Sequence, residues 1–359
     1  MFPGLIDKLQ RRVDLTVDEA AGAMESIMDG RAQPSQIAGF LVGLAMKGER
    51  PDEIVGLART MRGRATPLSR SFAPVFDTCG TGGDGAHTFN VSTVAAIVLA
   101  ACGVRVAKHG NRSASSRCGS ADLFEALGVN VAASPAIVER CLEEAGIAFL
   151  FAQVFHPSMR HAAPTRKELG VRTAFNLLGP LTNPAGASRQ LVGVPRPELT
   201  ELVARSLAQL GAERAWVVHG ADGLDEISTT GYTKVSECRD GAVNTFYLHP
   251  GDVGLPKAAP ETLRGGEAAD NAAIARAVLA GAPGAPREIV LLNAGAALLI
   301  AGKAATIPEG IAMAAEAIDS GRAAAVLERL VCLSTAAPPG DAPRRESGSA
   351  GAAPREGRA

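Results

Sequence analysis

The sequence predicts an α/β fold, in which a small N-terminal helical domain is joined to a larger domain with a central, mostly parallel sheet. Two observations predict it. Residues 1 to about 70 show helical periodicity interrupted by stop signals and contain no run typical of a strand. Residues 71–334 instead alternate short β-like runs with helical segments, which is the pattern of a parallel sheet covered by helices.

Capping signals divide the N-terminal domain into helices. Thr16, followed three residues later by Glu19, forms a candidate capping box, and Pro34 and Pro51 lie where the first turns of helices favour proline. The helix around residues 37–44 is apolar on more than one face and rich in small residues. Such a helix packs on two sides, either within its own subunit or against a second subunit, and the sequence favours neither alternative.

Short apolar runs between the helices define the expected strands of the larger domain. They comprise residues 75–77, 104–107, 129–131, 147–150, 191–194, 216–218 and 289–291. Ligands of parallel sheets bind beyond the carboxyl ends of the strands. The polar segments that follow the first, second and sixth runs are therefore expected to converge at one rim.

Two segments depart from this alternation. Residues 153–190 carry four prolines around a short amphipathic piece, and about residues 160–188 are expected to pack back against the helical domain. Residues 335–359 are dominated by small, polar and charged residues without apolar periodicity, and we expect them to form a disordered tail.

The composition excludes several classes of partner. The 359 residues are 47% hydrophobic and 20% charged with a formal net charge of −1, so no global basic field attracts nucleic acid or an anionic membrane. The longest apolar run, residues 289–302, is too short to span a bilayer. Six cysteines without CxxC spacing argue against a zinc site or a disulfide framework. We therefore expect a cytoplasmic protein that binds neither nucleic acid nor membranes.

A glycine-rich segment follows the first expected strand. In Gly80–Gly85 (GTGGDG), the glycines permit positive φ angles and a close approach of backbone N–H groups to a phosphate. Asn90, Ser92 and Thr93 come next, at the expected start of a helix whose free N–H groups and dipole would favour an anion. The alternative is that Asn90 or Ser92 only caps the helix.

The second expected strand leads into a strip of cations, small residues and hydroxyls. It runs from Lys108 to Ser116 with the sequence KHGNRSASS. This composition suits a phosphate monoester and a neighbouring polar acceptor. The alternative is a solvated loop, in which His109 makes only local hydrogen bonds.

Charged pairs occur in two further segments. Asp225 and Glu226 follow the sixth expected strand. Adjacent carboxylates often form a solvated face. These two would instead complement a pyrophosphate neutralised by Mg²⁺, because Mg²⁺ prefers oxygen ligands. Arg166 and Arg172 flank a short polar stretch. Either arginine could form a structural ion pair or bind a planar carboxylate, and spacing does not decide between these roles.

Four motifs together resemble a known family. The chain is similar to the anthranilate phosphoribosyltransferases in Gly80–Asp84 (GTGGD), Lys108–Ser113 (KHGNRS), Arg166–Pro184 (RKELGVRTAFNLLGPLTNP) and Asp222–Glu226 (DGLDE), and the match covers about residues 5–333. The resemblance implies a fold like that of nucleoside phosphorylases and phosphoribosyltransferases. It also implies a homodimer formed through the helical domain, with the active site at the hinge between the domains.

The reaction that the resemblance implies is transfer of the 5-phosphoribosyl group from 5-phosphoribosyl 1-pyrophosphate (PRPP) to the amine of anthranilate. The products would be N-(5-phosphoribosyl)anthranilate and pyrophosphate, in tryptophan biosynthesis. Mg²⁺ and backbone N–H groups would stabilise the charge that develops on the leaving group. The aromatic amine is unprotonated at neutral pH, so we expect no catalytic residue beyond the binding groups.

The resemblance also implies the residues of the site. Anthranilate would meet Gly80, Asn111 and Arg166, and Mg²⁺ would be bound by Ser92, Asp225 and Glu226. Ala114, Cys118 and Gln153 differ from residues usual in the family, and none of these differences removes a charged ligand. The residues that would hold the phosphoribosyl donor are Gly80, Gly83, Asp84, Thr88, Asn90, Val91, Ser92, Thr93, Lys108, His109, Gly110, Asn111, Arg112, Ser113, Ala114, Ser115, Ser116 and Ser120.

Two other functions compete with this one. A pyrimidine-nucleoside phosphorylase would share the fold and bind free phosphate and a nucleobase, but its expected lysine-serine glycine loop is absent. A catalytically silent relative that binds nucleic acid would show a basic patch and missing site residues. Here the net charge is near zero and the motifs are intact.

Overall fold

Four helices form the N-terminal unit of the protein. The computed structural model describes residues 1–113 and 117–336, and within the first 70 of these it contains helices but no strand. The predicted capping box is confirmed, because the N–H of Glu19 donates to Thr16 Oγ1 (3.2 Å) and the N–H of Thr16 donates to Glu19 Oε2 (3.0 Å). The helices are α1 (Phe2–Gln10), α2 (Val17–Met28), α3 (Pro34–Lys47) and α4 (Pro51–Gly63).

A central sheet organises the larger unit, and the described residues contribute seven strands to it. In the order β3-β2-β1-β4-β5-β6-β7, the first five strands are parallel and the last two form an antiparallel hairpin at one edge. The predicted fold class is confirmed. The strands are β1 (Phe76–Gly80), β2 (Val106–Gly110), β3 (Ile147–Phe151), β4 (Arg189–Gly193), β5 (Arg214–Gly220), β6 (Thr233–Arg239) and β7 (Ala242–Leu248).

Buried strand residues alternate between two hydrophobic cores, because successive side chains of a strand point to opposite faces. Leu191 and Val218 join the core of the larger unit, whereas Val192 and Val217 join a core shared with the N-terminal helices. The sheet therefore fixes the helical unit against one of its faces. The remaining helices are α5 (Val91–Ala101), α6 (Ser120–Ala126), α7 (Pro135–Glu144), α8 (Ala152–Phe155), α9 (Ala163–Leu169), α10 (Leu199–Gln209), α11 (Ala268–Leu279), α12 (Ala285–Ile300), α13 (Ile307–Asp319) and α14 (Arg322–Thr335).

Two of the expected strands are wrong. Residues 289–291 lie inside α12, which is buried along most of its length, and a short apolar run does not distinguish a buried strand from a buried helix. Residues 129–131 form a loop and turn in which the N–H of Ala132 donates to Asn130 Oδ1 (3.2 Å). The asparagine side chain thus satisfies the backbone locally, as in many turns.

The proline-containing segment after β3 runs along the N-terminal helices. A 3-10 turn at Pro157–His161 contacts α2, and both α9 and a second 3-10 turn at Ala174–Asn176 contact α3. A third short turn, Gly179–Leu181, lies against β1 and β2. The segment therefore connects the helical unit with the strand ends.

The C-terminal end of the described chain is helical. Thr335, which the sequence assigns to the tail, is the last residue of α14, and residues 337–359 of that tail lie outside the described residues. In the part of the chain that the structure describes, no helix combines the length and hydropathy needed to cross a membrane. All six cysteines fall in this part, and none of them forms a disulfide.

Candidate active site

The carboxyl ends of parallel strands meet at one rim, as the sequence predicts. β1 ends at Gly80, and Asp225 and Glu226 follow β5. The N–H of Gly82 donates to Asp225 Oδ2 (3.1 Å), and the N–H of Ser92 donates to Glu226 Oε1 (3.0 Å). These two bonds bring the glycine loop, the start of α5 and both carboxylates into a single site.

The loop after β1 depends on its glycines. Gly82 and Gly83 have φ angles of 65° and 79°, in the left-handed region that side chains disfavour. A Cβ atom on Gly80 would lie 2.5 Å from Asp225 Oδ2. Among the described residues, none accepts a hydrogen bond from the N–H groups of residues 83–85. The loop therefore presents unpaired backbone donors, which is the chemistry of a phosphate cradle.

The first N–H groups of α5 differ from expectation, because they are already bonded. The N–H groups of residues 91–93 donate to the carbonyl oxygens of Phe89 and Asn90 and to the Glu226 carboxylate, at 2.8–3.1 Å. The prediction of free N–H groups at this terminus is therefore wrong. Side-chain hydroxyls are the polar groups that remain for a ligand there.

Two hydroxyls near this point are buried without a partner. Thr93 is 1% exposed, and neither its Oγ1 nor that of Thr81 forms a hydrogen bond in the described structure. Asn90 occupies the N-cap position without capping the helix; its amide donates to the Cys118 carbonyl oxygen (3.0 Å) and its Oδ1 accepts from Asn271 Nδ2 (3.1 Å). The alternative that Asn90 is only a helix cap is therefore wrong.

Lys108 carries a buried ammonium group near the end of β2. Its Nζ donates to the Thr78 carbonyl oxygen and lies 3.5 Å from Ser92 Oγ. Burial lowers the pKa of Lys108, and the charge of Asp77 opposes this effect. The described chain supplies no carboxylate within ion-pair distance of Nζ. An entering anion would therefore meet a cation without a direct counter-charge.

His109 makes local hydrogen bonds. Its Nδ1 lies 2.9 Å from the Gly179 carbonyl oxygen, and its N–H donates to Asp77 Oδ1 (3.1 Å). Burial, together with the nearby ring of His156, lowers the pKa of His109 to about 3. The imidazole is therefore neutral at pH 7, which favours the local role over that of a cation for phosphate.

The strip after Lys108 folds back onto α6. A Cβ atom on Gly110 would collide with Ser120 Oγ, which donates to the Asn111 carbonyl oxygen (3.4 Å). Gly110, Asn111 and Ser120 are thus neighbours. Two other predicted donor residues have different surroundings: Val91 is buried in the core, and Thr88 lies in an isolated β-bridge.

Arg112 is engaged in ion pairs. Its guanidinium lies 2.8 Å from both Asp122 and Glu125, and the Glu125 carboxylate is the larger of the two causes that raise the pKa of Arg112. The N–H of Ser113 donates to Asp122 Oδ2 (3.2 Å). The charge of Arg112 is therefore compensated by protein groups. Outside the described residues lie three more predicted members of the donor site, Ala114, Ser115 and Ser116.

Asp225 and Glu226 are partly buried, unlike carboxylates of a solvated face. Burial, and next the charge of Asp84, raise the pKa of Asp225 to about 7. Burial, and next the charge of Asp225, raise the pKa of Glu226 to about 8. Each shift means that the surroundings disfavour the negative charge. A cation bound between these groups would remove that penalty.

The oxygen donors at this position fit Mg²⁺. In the described part of the chain, no three His, Cys, Asp or Glu side chains are grouped closely enough to hold a metal ion by themselves. Mg²⁺ does not need such a group, because it keeps several waters and binds through one or two carboxylates and the phosphates of a substrate. Asp225, Glu226 and the Ser92 hydroxyl carry hard oxygen atoms of the kind that such a site requires.

The two arginines that the sequence could not separate lie in different places. Arg166, on α9, has its guanidinium carbon 5.2 Å from the centre of the Phe175 ring. Arg172 is exposed, and its Nη2 donates a long hydrogen bond to the Thr81 carbonyl oxygen (3.4 Å). Neither arginine forms an ion pair with the described residues, which favours ligand binding over a structural ion pair for both.

Comparison with known proteins identifies the family. Residues 3–65 match the helical bundle domain of a glycosyl transferase family, and residues 73–324 match the a/b domain of that family. An anthranilate phosphoribosyltransferase of Moorella thermoacetica is 58% identical over 331 residues, which are 92% of this chain and 98% of that protein. The chain belongs to the anthranilate phosphoribosyltransferase family.

Solved structures of anthranilate phosphoribosyltransferases share this fold. The crystal structure of the enzyme from Thermus thermophilus superposes with a TM-score of 0.86 at 49% identity, covering 92% of this chain and 99% of that one. The Saccharomyces cerevisiae enzyme in complex with PRPP and Mg superposes with a TM-score of 0.83 at 28% identity, covering 93% and 97%. The predicted family membership is confirmed.

Sequence reasoning missed a buried pair that supports this anthranilate phosphoribosyltransferase site. Asn183 Nδ2 donates to Asp77 Oδ2 (2.8 Å) and to the Ala107 carbonyl oxygen (2.7 Å). Asp77 is fully buried, and its other oxygen accepts the N–H of His109. The pair ties β1 to β2 at Ala107, the residue before Lys108. The sequence signal for this pair is Asp77, a charged residue inside an apolar strand.

Proposed function

We propose that this protein transfers the 5-phosphoribosyl group from PRPP to the amine of anthranilate, releasing pyrophosphate, with Mg²⁺ as cofactor. One observation carries the proposal: the glycine loop, with unpaired N–H groups at residues 83–85, is joined directly to the Asp225 carboxylate. A cradle for phosphate and a ligand for Mg²⁺ would therefore adjoin, as a magnesium pyrophosphate requires.

Donor binding would use three kinds of group around this loop. The N–H groups of residues 83–85 would meet phosphate oxygens, and the unpaired Thr93 hydroxyl would add a donor from α5. The buried Lys108 ammonium, whose Nζ lies 3.5 Å from Ser92 Oγ, would supply positive charge. The other predicted donor residues, from Asp84 to Ser120, would complete the contacts to the ribose 5-phosphate and the diphosphate.

Charge separation is the chemical problem of this transfer. Cleavage at C1 leaves positive charge on the ribose and negative charge on pyrophosphate. Held by Asp225, Glu226 and Ser92, Mg²⁺ would neutralise the leaving pyrophosphate. The N–H groups of the loop would already be in place before the reaction, so they would stabilise the new charge without reorganising.

The acceptor needs orientation more than activation. An aromatic amine is unprotonated at neutral pH, so no general base has to remove a proton before attack. Asn111 and Gly80 would position anthranilate, and the Arg166 guanidinium would bind its carboxylate. Holding the amine in line with C1 supplies much of the rate enhancement, since the reaction becomes effectively unimolecular.

Anthranilate fluorescence tests the reaction. Purified protein should consume anthranilate only when PRPP and Mg²⁺ are both present, and omission of either should leave the signal constant. Chromatographic detection of pyrophosphate in equal amounts confirms the stoichiometry. Constant fluorescence in the complete mixture, with a well-folded sample, would contradict the proposed function.

We also propose a cytoplasmic homodimer that acts in tryptophan biosynthesis. The helical unit exposes Met1 (62%), Val13 (42%) and Met46 (75%), which a second subunit would cover. Cysteines without disulfides are the usual state in a reducing cytosol. Light scattering coupled to size-exclusion chromatography tests the dimer; a monomeric mass across the micromolar range would contradict it.

A further inference from the structure

The geometry points to Arg172 as a further donor-binding residue, whose guanidinium pairs with the pyrophosphate group of PRPP beside the glycine loop. The inference rests on the proposed reaction, and it deepens the description of the donor site. Neither the motifs nor the family resemblance assigned this role to Arg172. Three observations support it, and they concern its position, its charge and its attachment.

The position of Arg172 places it within the phosphate cradle. Its Nη2 lies 3.4 Å from the Thr81 carbonyl oxygen, and a Cβ atom on Gly83 would collide with its Nη1. The guanidinium therefore covers the loop at the residues that precede Asp84. The unpaired N–H groups of residues 83–85 and the arginine donors form one cluster.

The charge of Arg172 is available for a ligand. In the described structure no carboxylate comes within ion-pair distance of it, and its long bond to Thr81 uses only one of five N–H donors. Arg112, by contrast, is paired with both Asp122 and Glu125. Arg172 is therefore an exposed guanidinium at the loop with its fork free for bidentate binding of phosphate oxygens.

Arg172 lies on a segment that packs against the helical unit, so donor binding by Arg172 would involve that unit. Arg172 follows α9 after a left-handed turn at Gly170 (φ 63°), and α9 and the turn at Ala174–Asn176 both contact α3. Arg172 therefore approaches the α/β loop from a segment that is packed on the other unit. A diphosphate held by both Arg172 and residues 83–85 would bridge the two units.

A competing explanation is that Arg172 only straps the loop in its observed shape. If Arg172 only holds the loop, its loss would change the KM values of both substrates and the melting temperature together, because the loop shapes the whole site. If Arg172 instead binds the diphosphate, its loss would weaken the binding of PRPP and pyrophosphate selectively. The two explanations therefore differ in which constants change.

The test compares the full-length protein with Arg172→Gln and Arg172→Lys. We expect Arg172→Gln to raise both the KM for PRPP and the Kd of pyrophosphate with Mg²⁺, measured by titration calorimetry, by about 10–100-fold. The KM for anthranilate and the Tm should change little. Arg172→Lys keeps the charge but loses the fork, so its effect should be intermediate.

Arg196→Gln is the matched control, because Arg196 is a neighbouring exposed arginine that pairs with Glu198 at 3.4 Å. It removes the same charge and should change the KM for PRPP less than twofold. A KM and Kd within twofold of wild type in both Arg172 variants would overturn the inference, as would equal effects of Arg172→Gln and Arg196→Gln. Pyrophosphate binding needs no turnover, so the measured Kd of pyrophosphate can be interpreted even if the protein does not catalyse the proposed reaction.

Discussion

Gly80 and Asp225 occupy adjoining space at the end of β1, so closely that a Cβ atom on Gly80 would lie 2.5 Å from Asp225 Oδ2. The same carboxylate oxygen accepts the N–H of Gly82 (3.1 Å). The position of Asp225, a proposed Mg²⁺ ligand, therefore depends on the absence of a side chain at Gly80. This relationship connects the shape of the loop with the charge of the site.

Replacing Gly80 with Ala should displace Asp225 and the loop together. We expect kcat/KM to fall by about 100-fold, since a shift of about 1 Å in a positioning group has effects of that size. The fluorescence assay measures it. Gly231→Ala is the control, because its Cβ would meet open space, and it should retain full activity. Equal activities of the two variants would contradict the steric argument.

Replacing Glu226 with Gln should lower the activity but increase the stability of the metal-free protein. Burial and the Asp225 charge raise the pKa of Glu226 to about 8, so ionisation costs free energy in the metal-free fold. A raised carboxylate pKa means that the native state loses stability as pH rises from the unfolded pKa towards the raised one. We therefore expect Glu226→Gln to increase the free energy of unfolding by about 2 kcal/mol at pH 8 without metal.

The same variant should lose its response to Mg²⁺. Removing the charge of Glu226, a proposed Mg²⁺ ligand, should lower kcat by about 100-fold, and Mg²⁺ with pyrophosphate should no longer raise the Tm. Urea unfolding and thermal unfolding, each with and without Mg²⁺, measure the two effects. A variant that is less stable than wild type without metal, or that responds equally to Mg²⁺, would contradict this account of Glu226.

Much of the site could be predicted because its parts follow apolar strands. The glycine loop, Lys108 and the Asp225-Glu226 pair each come at the carboxyl end of a strand, where parallel sheets bind ligands. The bonded N–H groups at the start of α5 could not be predicted. The carboxylate that binds the N–H of Ser92 is 134 positions away in the sequence, and only the fold brings it there.

The errors in the predicted fold have a similar origin. The β6–β7 hairpin was missed because β7 is mostly exposed and Asn244 and Thr245 interrupt its apolar residues. Residues 289–291 were assigned to a strand because α12 is buried on nearly all sides and shows no clear period. The exposure of β7 and the burial of α12 both depend on the elements that pack against them, and the local sequence does not contain that information.

Arg166→Ala should affect the two substrates unequally. The Arg166 guanidinium lies over Phe175 and has no ion-pair partner among the described residues, so its fork is free for the anthranilate carboxylate. We expect the KM for anthranilate to rise about 10–100-fold, and that for PRPP to change much less. Steady-state kinetics with each substrate varied in turn measures this. Equal increases in both constants would indicate that Arg166 is structural.

The paired histidines should make the protein sensitive to acid. His109 and His156 lie with ring centres 5.1 Å apart, and burial is the main cause that lowers their pKa values to about 3 and about 4. Below pH 6.5 the unfolded chain binds protons at both residues while the native state does not. The free energy of unfolding therefore falls as pH falls, and the loss continues down to the lowered pKa values.

His156→Phe isolates one of these contributions. Neither ring nitrogen of His156 has a hydrogen-bond partner in the described structure, so a phenyl ring should replace it with little loss of bonding. Between pH 7 and pH 5, we expect wild type to lose about 2 kcal/mol more unfolding free energy than the variant. The buried carboxylates titrate in both proteins, so their effects cancel in this difference. Urea unfolding at the two pH values measures it, and parallel losses would mean that His156 takes up protons equally in the native and unfolded states.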